Sequence, residues 1–283
     1  MLSYEEPGEQ IRQILRLKSL VGGEAASSKF SGDHPLAAGL DAARKSLSGR
    51  LLSPQEQESI AILAARSATL FRYEGDWAPR RDLLTEKLLK AAECRGILFE
   101  LDTERHILRR STSERTWTSL IEGQPDWTTS GPDCVIECKL ARSVKRVLNY
   151  QSYLADAAEQ HPAPIRPLIV AIGFDGVLSS SVVARLHEDG KRHLPWMTRH
   201  QNVAGVLVFG RTGRIQPGRA LLGVQGTLHD EQRIIEIRNH NSIPTLPMTF
   251  RFGTGPETFR TTLPGPMQSL TKRASLPTEV NKP

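Results

Sequence analysis

Two short apolar runs set the terms on which this chain can fold. PLIVAIGF (167–174) and VAGVLVFG (203–210) are nearly free of polar residues, too short for a typical globular helix and the right length for buried strands. Each follows a helical pattern. SVKRVLNYQSYLADAAEQ begins at a capping residue, Ser143, and SSSVVARLHEDG closes at Gly190. Upstream, DLLTEKLLKAAECRG predicts a helix from a cap at Asp82 to a stop at Gly96, and GILFELD then predicts a strand. PDWTT and CVIECKL are rich in β-forming residues on either side of a Ser-Gly-Pro-Asp turn. The resulting order, α-β-β-β-α-β-α-β, predicts an α/β fold with helices packed on a sheet.

The remainder divides around that core, which spans 79–212. Residues 1–78 predict a helical N-terminal extension. In it IRQILRLKSL has helical spacing, GGEAASSKFSGDHP reads as a loop, and SPQEQESIAILAARSATLF opens with Ser53 as cap and Pro54 just inside. Residues 213–264 read as a C-terminal extension in which RALLGVQGTLH and RIIEIRN can add strands. From 265 to 283 the chain is rich in Pro, Ser, Thr and Lys with little to bury, which predicts a flexible tail.

Composition narrows the class. With 39% hydrophobic and 24% charged residues, the chain lies near the globular average. Its apolar runs fall well short of the roughly 18 residues of a membrane span. MLSYEEPGEQ carries acids where a secretory signal has a basic and then an apolar segment. Three cysteines without a CxxC pair exclude a disulfide scaffold and a classical zinc finger. A soluble cytoplasmic protein with reduced thiols and no membrane partner is expected. The net charge of +6 and pI of about 9.4 favour a polyanionic partner without demanding one.

The chemistry gathers in QPDWTTSGPDCVIECKL. Strand alternation in CVIECK puts Val135, Glu137 and Lys139 on one face and Cys134, Ile136 and Cys138 on the other. A carboxylate and a lysine on an otherwise apolar strand are costly to bury unless they are paired or liganded; at a strand end in solvent they would be harmless. A hairpin loop at Ser130–Asp133 would pair Thr129 with Cys134 and Trp127 with Ile136, and would set Asp126 opposite Glu137. Directly opposed Cβ atoms lie about 4.5–5.5 Å apart, so the two carboxylates can share one cation. Magnesium takes one or two protein carboxylates and leaves its other positions to water and phosphate. Lys139, on the same face, can orient or deprotonate the attacking water or neutralise the transition state. Asp133 is the rival aspartate, in a second Pro-Asp pair, but on a straight strand it lies about 13 Å from Glu137. A bulge or a shifted register would reverse the choice, so both aspartates stand as candidates.

Pro125-Asp126, then Glu137-Cys138-Lys139, resembles the motif of the PD-(D/E)xK nucleases. The family's αβββαβ core, a mixed sheet flanked by helices in the restriction-endonuclease-like fold, is similar to the order of elements across roughly 82–174, about a third of the chain. The resemblance implies a Mg²⁺- or Mn²⁺-dependent nuclease with metal ligands Asp126 and Glu137 and catalytic Lys139. It also implies a glutamate on the first helix, for which Glu86 is the candidate, although Glu86 can equally sit on a solvated face with Lys90 and Glu93; Glu100, on the strand expected next, is an outside candidate. In the helix after the motif, Arg142, Lys145 and Arg146 are candidates for phosphate contact, and Gln151 resembles the polar helix residue that some members place beside the site.

Other signals fall away. IVAIGFDGVL is similar to the first motif of haloacid-dehalogenase phosphatases, but Gly173 stands where the aspartate nucleophile belongs. There is no GxxxxGK[ST] phosphate loop. The expected function is a metal-dependent endonuclease acting on nucleic acid, DNA foremost, with DNA against RNA left open. Protein subunits docking on the N-terminal helices are further candidate partners. The alternative is a non-catalytic nucleic-acid-binding or assembly subunit on the same fold.

Overall fold

The apolar runs become the middle strands of a six-stranded sheet in a computed structural model that describes residues 7–23, 30, 32–107, 114–130, 133–162, 166–214, 229–239 and 241–242. Among the described residues six α-helices and one 3₁₀ turn (Ala78–Arg80) come first: α1 (Pro7–Leu20), α2 (Ala37–Leu47), α3 (Pro54–Arg72), α4 (Glu74–Trp77), α5 (Arg81–Leu89) and α6 (Ala91–Ile107). Then follow β1 (Arg115–Trp117), β2 (Trp127–Ser130), β3 (Asp133–Ala141), α7 (Val144–Leu148), α8 (Gln151–Gln160) and β4 (Leu168–Val177). The remaining elements are α9 (Ser180–Asp189), α10 (Pro195–Arg199), β5 (Val203–Arg214) and β6 (His229–Arg238).

The strands lie in chain order, β1-β2-β3-β4-β5-β6, in a mixed open sheet. The first three are antiparallel, β3, β4 and β5 are parallel, and β6 returns antiparallel to β5. Parallel neighbours need a crossover, and α7–α8 and α9–α10 supply the two that are required. Alternation along the strands divides the core. Cys134, Ile136, Ile169, Ala171 and Phe209 face the helices that precede the sheet, in one apolar cluster with Ile14, Leu63 and Leu98. Val170, Ile172, Val206, Val208 and Ile237 face the other way, against Val147, Leu154, Leu186 and Trp196. The N-terminal helices therefore share a core with the sheet.

Several local expectations hold. Ser53 and Glu56 form a reciprocal capping box at the start of α3, with Pro54 inside it. Ser143 accepts from Arg146 N at the start of α7, and Ser179 caps α9. RIIEIRN belongs to β6, while most of RALLGVQGTLH and all of 265–283 lie outside the described residues.

Three elements differ from expectation. GILFELD is not a strand: it is the middle of α6, and the strand in its place is β1. The segment supports either period, because Ile97, Leu98, Phe99 and Leu101 are all buried. Four-residue spacing aligns Cys94 with Leu98 and Glu100 with Glu104 on a helix. Gly96 does not stop that helix. A mid-helix glycine costs about 1 kcal/mol relative to alanine, which the burial around it outweighs. The helix expected from Asp82 instead breaks at Lys90, whose backbone is extended, and the helix expected after Ser143 breaks at Asn149–Tyr150. Gly173 has a packing cause: a Cβ there would stand 2.5 Å from the Phe99 ring. Among the described residues no helix is long and apolar enough to cross a membrane.

Candidate functional site

The β2–β3 hairpin pairs Trp127 with Ile136, Thr128 with Val135, Thr129 with Cys134 and Ser130 with Asp133. The ladder thus closes one pair tighter than a Ser130–Asp133 loop, in the same register. One step beyond Trp127 that register brings Asp126 opposite Glu137. Asp126 stays outside the regular ladder. Its carbonyl accepts from Thr118 N at 2.9 Å, and its Oδ2 accepts from Cys138 N at 2.6 Å. Backbone donors from both neighbouring segments hold this aspartate at the start of β2.

On β3, Glu137 is 7% exposed. Its Oε1 accepts from Lys139 Nζ at 2.7 Å, and its Oε2 lies 3.2 Å from His161 Nε2. Lys139 also donates to Gln160 Oε1 at 2.9 Å. From the opposite side of the sheet α6 contributes Glu100, buried, with Oε2 accepting from Trp117 Nε1 at 3.0 Å. Trp127 Nε1 donates to the Glu100 carbonyl at 3.1 Å.

The electrostatics follow from this crowding. Burial pushes the Glu100 carboxyl up to about 7, opposed by hydrogen bonds from Ser119 and Trp117 and reinforced by the charge of Glu137. Asp126 is a half-buried residue whose carboxyl is enclosed. Burial drives it well above the usual aspartate range, and the charges of Glu100 and Glu137 drive it further, against the hydrogen bonds of Cys138 N and Ser119. Burial and then Asp126 likewise raise the Cys138 thiol far above its ordinary value. Three acids therefore sense one another, and Lys139 is bonded to only one of them. Acids held that close favour a proton or a cation among them.

The sequence candidates fall into three groups. Asp126, Glu137 and Lys139 come together. Asp133 begins β3, four residues before Glu137, so the straight-strand separation of about 13 Å applies. Glu86 stays outside: it is exposed on α5 and ion-paired with Lys90 at 2.7 Å, and Lys90 also bonds Glu93 at 3.2 Å. A helix acid does reach the group, but it is Glu100. Arg142, Lys145, Arg146 and Gln151 are exposed where β3 leads into α7 and α8. The glutamine that bonds Lys139 is Gln160, at the other end of α8 from Gln151.

Gln160, His161 and Trp117 carry no signal in the sequence, since each is a lone polar or aromatic residue whose role depends on a partner in another element, 17 to 24 positions away. The motif spacing alone gives no sign of them.

Among the described residues no group of three or more His, Cys, Asp or Glu is arranged to hold a metal ion. Magnesium does not require one, because one or two protein carboxylates with water and phosphate complete its shell. Hard oxygen donors whose charges repel one another fit such a cation. Comparison of the chain with protein-family models, curated proteins and solved structures found no match in any of the three.

Proposed function

We propose that the chain is a divalent-metal-dependent endonuclease that hydrolyses phosphodiester bonds in nucleic acid, DNA foremost, on a restriction-endonuclease-like core. The observation that carries this reading is the juxtaposition of enclosed Asp126 with Glu137 and Lys139 across one hairpin. The order of elements supports it: α6, the antiparallel β1–β2–β3, the crossover α7–α8, and β4 parallel to β3.

Asp126 and Glu137 would hold Mg²⁺ or Mn²⁺, with Glu100 as the acid of the first helix. The bound ion would polarise the phosphate and lower the proton affinity of a bound water. Glu137 holds the Lys139 ammonium in place through Oε1, and Gln160 holds it from the other side. So fixed, Lys139 orients the attacking water and offsets the negative charge that grows as a new P–O bond forms and the old one breaks. Arg142, Lys145 and Arg146 extend a basic surface from the end of β3, suited to backbone phosphates.

The second reading is a nucleic-acid-binding subunit that does not cut, supported by the exposed Arg142, Lys145 and Arg146 beside the end of β3. Cleavage decides between them. The full chain is expected to nick or cut plasmid and oligonucleotide DNA with Mg²⁺ or Mn²⁺ and to stop with EDTA. Asp126→Asn is expected to lose orders of magnitude in rate, while Asp133→Asn stays near the parent. Activity unchanged by exhaustive chelation overturns the metal mechanism, and no cleavage of DNA or RNA under any divalent cation favours the binding subunit.

A further inference from the structure

The C-terminal end of α8 closes on the site from one side. Gln160 and His161 are consecutive, and each grips a different member of the Glu137–Lys139 pair. Gln160 Oε1 accepts from Lys139 Nζ at 2.9 Å, and His161 Nε2 stands 3.2 Å from Glu137 Oε2. The contact of 2.7 Å between Lys139 Nζ and Glu137 Oε1 links the four side chains in a line whose two ends meet through the 160–161 peptide bond. A carboxylate oxygen accepts, so Nε2 carries the hydrogen in the histidine contact.

His161 is itself fixed. Its N–H donates to the Ala157 carbonyl at 3.0 Å, ending the helix. Its own carbonyl accepts from Asn202 Nδ2 at 2.8 Å, and the same amide donates to the Ala158 carbonyl at 3.1 Å. Asn202 lies just before β5, so one side chain ties the end of α8 to the third parallel strand. The imidazole is 10% exposed and has little room to swing away.

Such a clasp matters to a carboxylate that must meet a cation. An unrestrained glutamate loses rotamer freedom when it is ordered, at a cost of up to about 2 kcal/mol. Partners that already hold it remove that cost, which is why hydrogen bonds behind a metal ligand govern affinity. Lys139 restrains Oε1 and His161 restrains Oε2.

We propose that His161 is a positioning residue that pre-orients the Glu137 carboxylate for a divalent cation, and that Asn202 anchors it. The inference rests on the reading of Glu137 as a metal ligand, and Glu137→Gln separates the two. The probe is Mn²⁺, titrated calorimetrically into the full chain without nucleic acid, alongside the cation dependence of cleavage. Glu137→Gln should abolish Mn²⁺ uptake. His161→Ala should weaken it by about 10- to 100-fold, the usual effect of losing a partner behind a ligand. In the same variant the half-saturating Mn²⁺ for cleavage should rise in step, with the rate at saturating Mn²⁺ nearly retained. His161→Gln, which keeps an N–H donor, should recover part of the affinity. Asn202→Ala, remote from Glu137, should weaken uptake in the same direction by less, and it serves if His161→Ala does not fold. If Glu137→Gln abolishes uptake while His161→Ala and Asn202→Ala bind Mn²⁺ within twofold of the parent, the positioning role is overturned and the metal assignment stands. If Glu137→Gln binds Mn²⁺ like the parent, both fall.

Discussion

Glu100 and Glu104 sit one helical turn apart on α6, both buried, in opposite surroundings. Donors gather on one oxygen of Glu104, while its buried Oε2 has no hydrogen-bond partner among the described residues. Its Oε1 accepts from Arg115 Nη1 at 2.8 Å, Arg72 Nη1 at 3.0 Å and the Tyr73 hydroxyl at 3.1 Å. Glu100 has Trp117 and Ser119 as neutral donors and looks toward two more acids. The first arrangement is what a folded protein needs from a buried charge, since Glu104 ties α3 to α6 and β1. The second has no structural logic of its own, because burying three acids together opposes folding unless a proton or a cation joins them. One helix thus carries a carboxylate that holds the protein together and one held ready for something else.

The comparison can be broken most sharply at Lys139. Lys139→Ala is expected to slow cleavage by about 10²- to 10⁴-fold while DNA binding by the folded variant stays close to the parent. Equal loss of binding would make Lys139 a phosphate contact instead. Next in size, Glu104→Gln leaves Arg72 and Arg115 facing a neutral amide. Breaking a buried ion pair from one side costs about 3–5 kcal/mol, which denaturant titration would read directly. A variant as stable as the parent would show that the Glu104 cluster does not hold α3, α6 and β1 together.

The same substitution one turn away should have the opposite sign. Glu100 binds its proton more tightly folded, near 7, than unfolded, where the ordinary value is 4.5. Stability of the cation-free protein should therefore fall as pH rises from about 4.5 toward 7 and level off above. Glu100→Gln removes that loss, so the variant should exceed the parent by about 1–2 kcal/mol at pH 8 and match it near pH 4. Destabilisation at pH 8 would mean that the Trp117 hydrogen bond outweighs the repulsion.

How far the site could be read in advance depended on how local its contacts are. Asp126, Glu137 and Lys139 were legible because turn chemistry and strand alternation fix a hairpin from within its own sequence. Capping at Ser53 and Ser143 was legible for the same reason. Glu100 was not, because GILFELD fits either period when buried on both sides, and only packing against Trp117, Trp127 and Phe209 selects the helix. Glu86 was misplaced by the same error: treating Gly96 as a stop put the first helix one element too early. His161 and Gln160 lay beyond any local pattern.

The hairpin, the α8 clasp and its Asn202 anchor also form a series of chain closures laid end to end, each longer than the last. Asp126 meets Cys138 across 12 positions, His161 meets Glu137 across 24, and Asn202 meets His161 across 41. Each doubling of an open loop adds about 0.6 kcal/mol of closure entropy, so the shortest of the three is the least costly to close. Closure entropy alone therefore favours the Asp126–Cys138 hairpin first, the helix end on Glu137 second and the Asn202 tie last. A chain arrested before β5 docks would carry the hairpin and the His161 contact on Glu137, without the Asn202 anchor behind them.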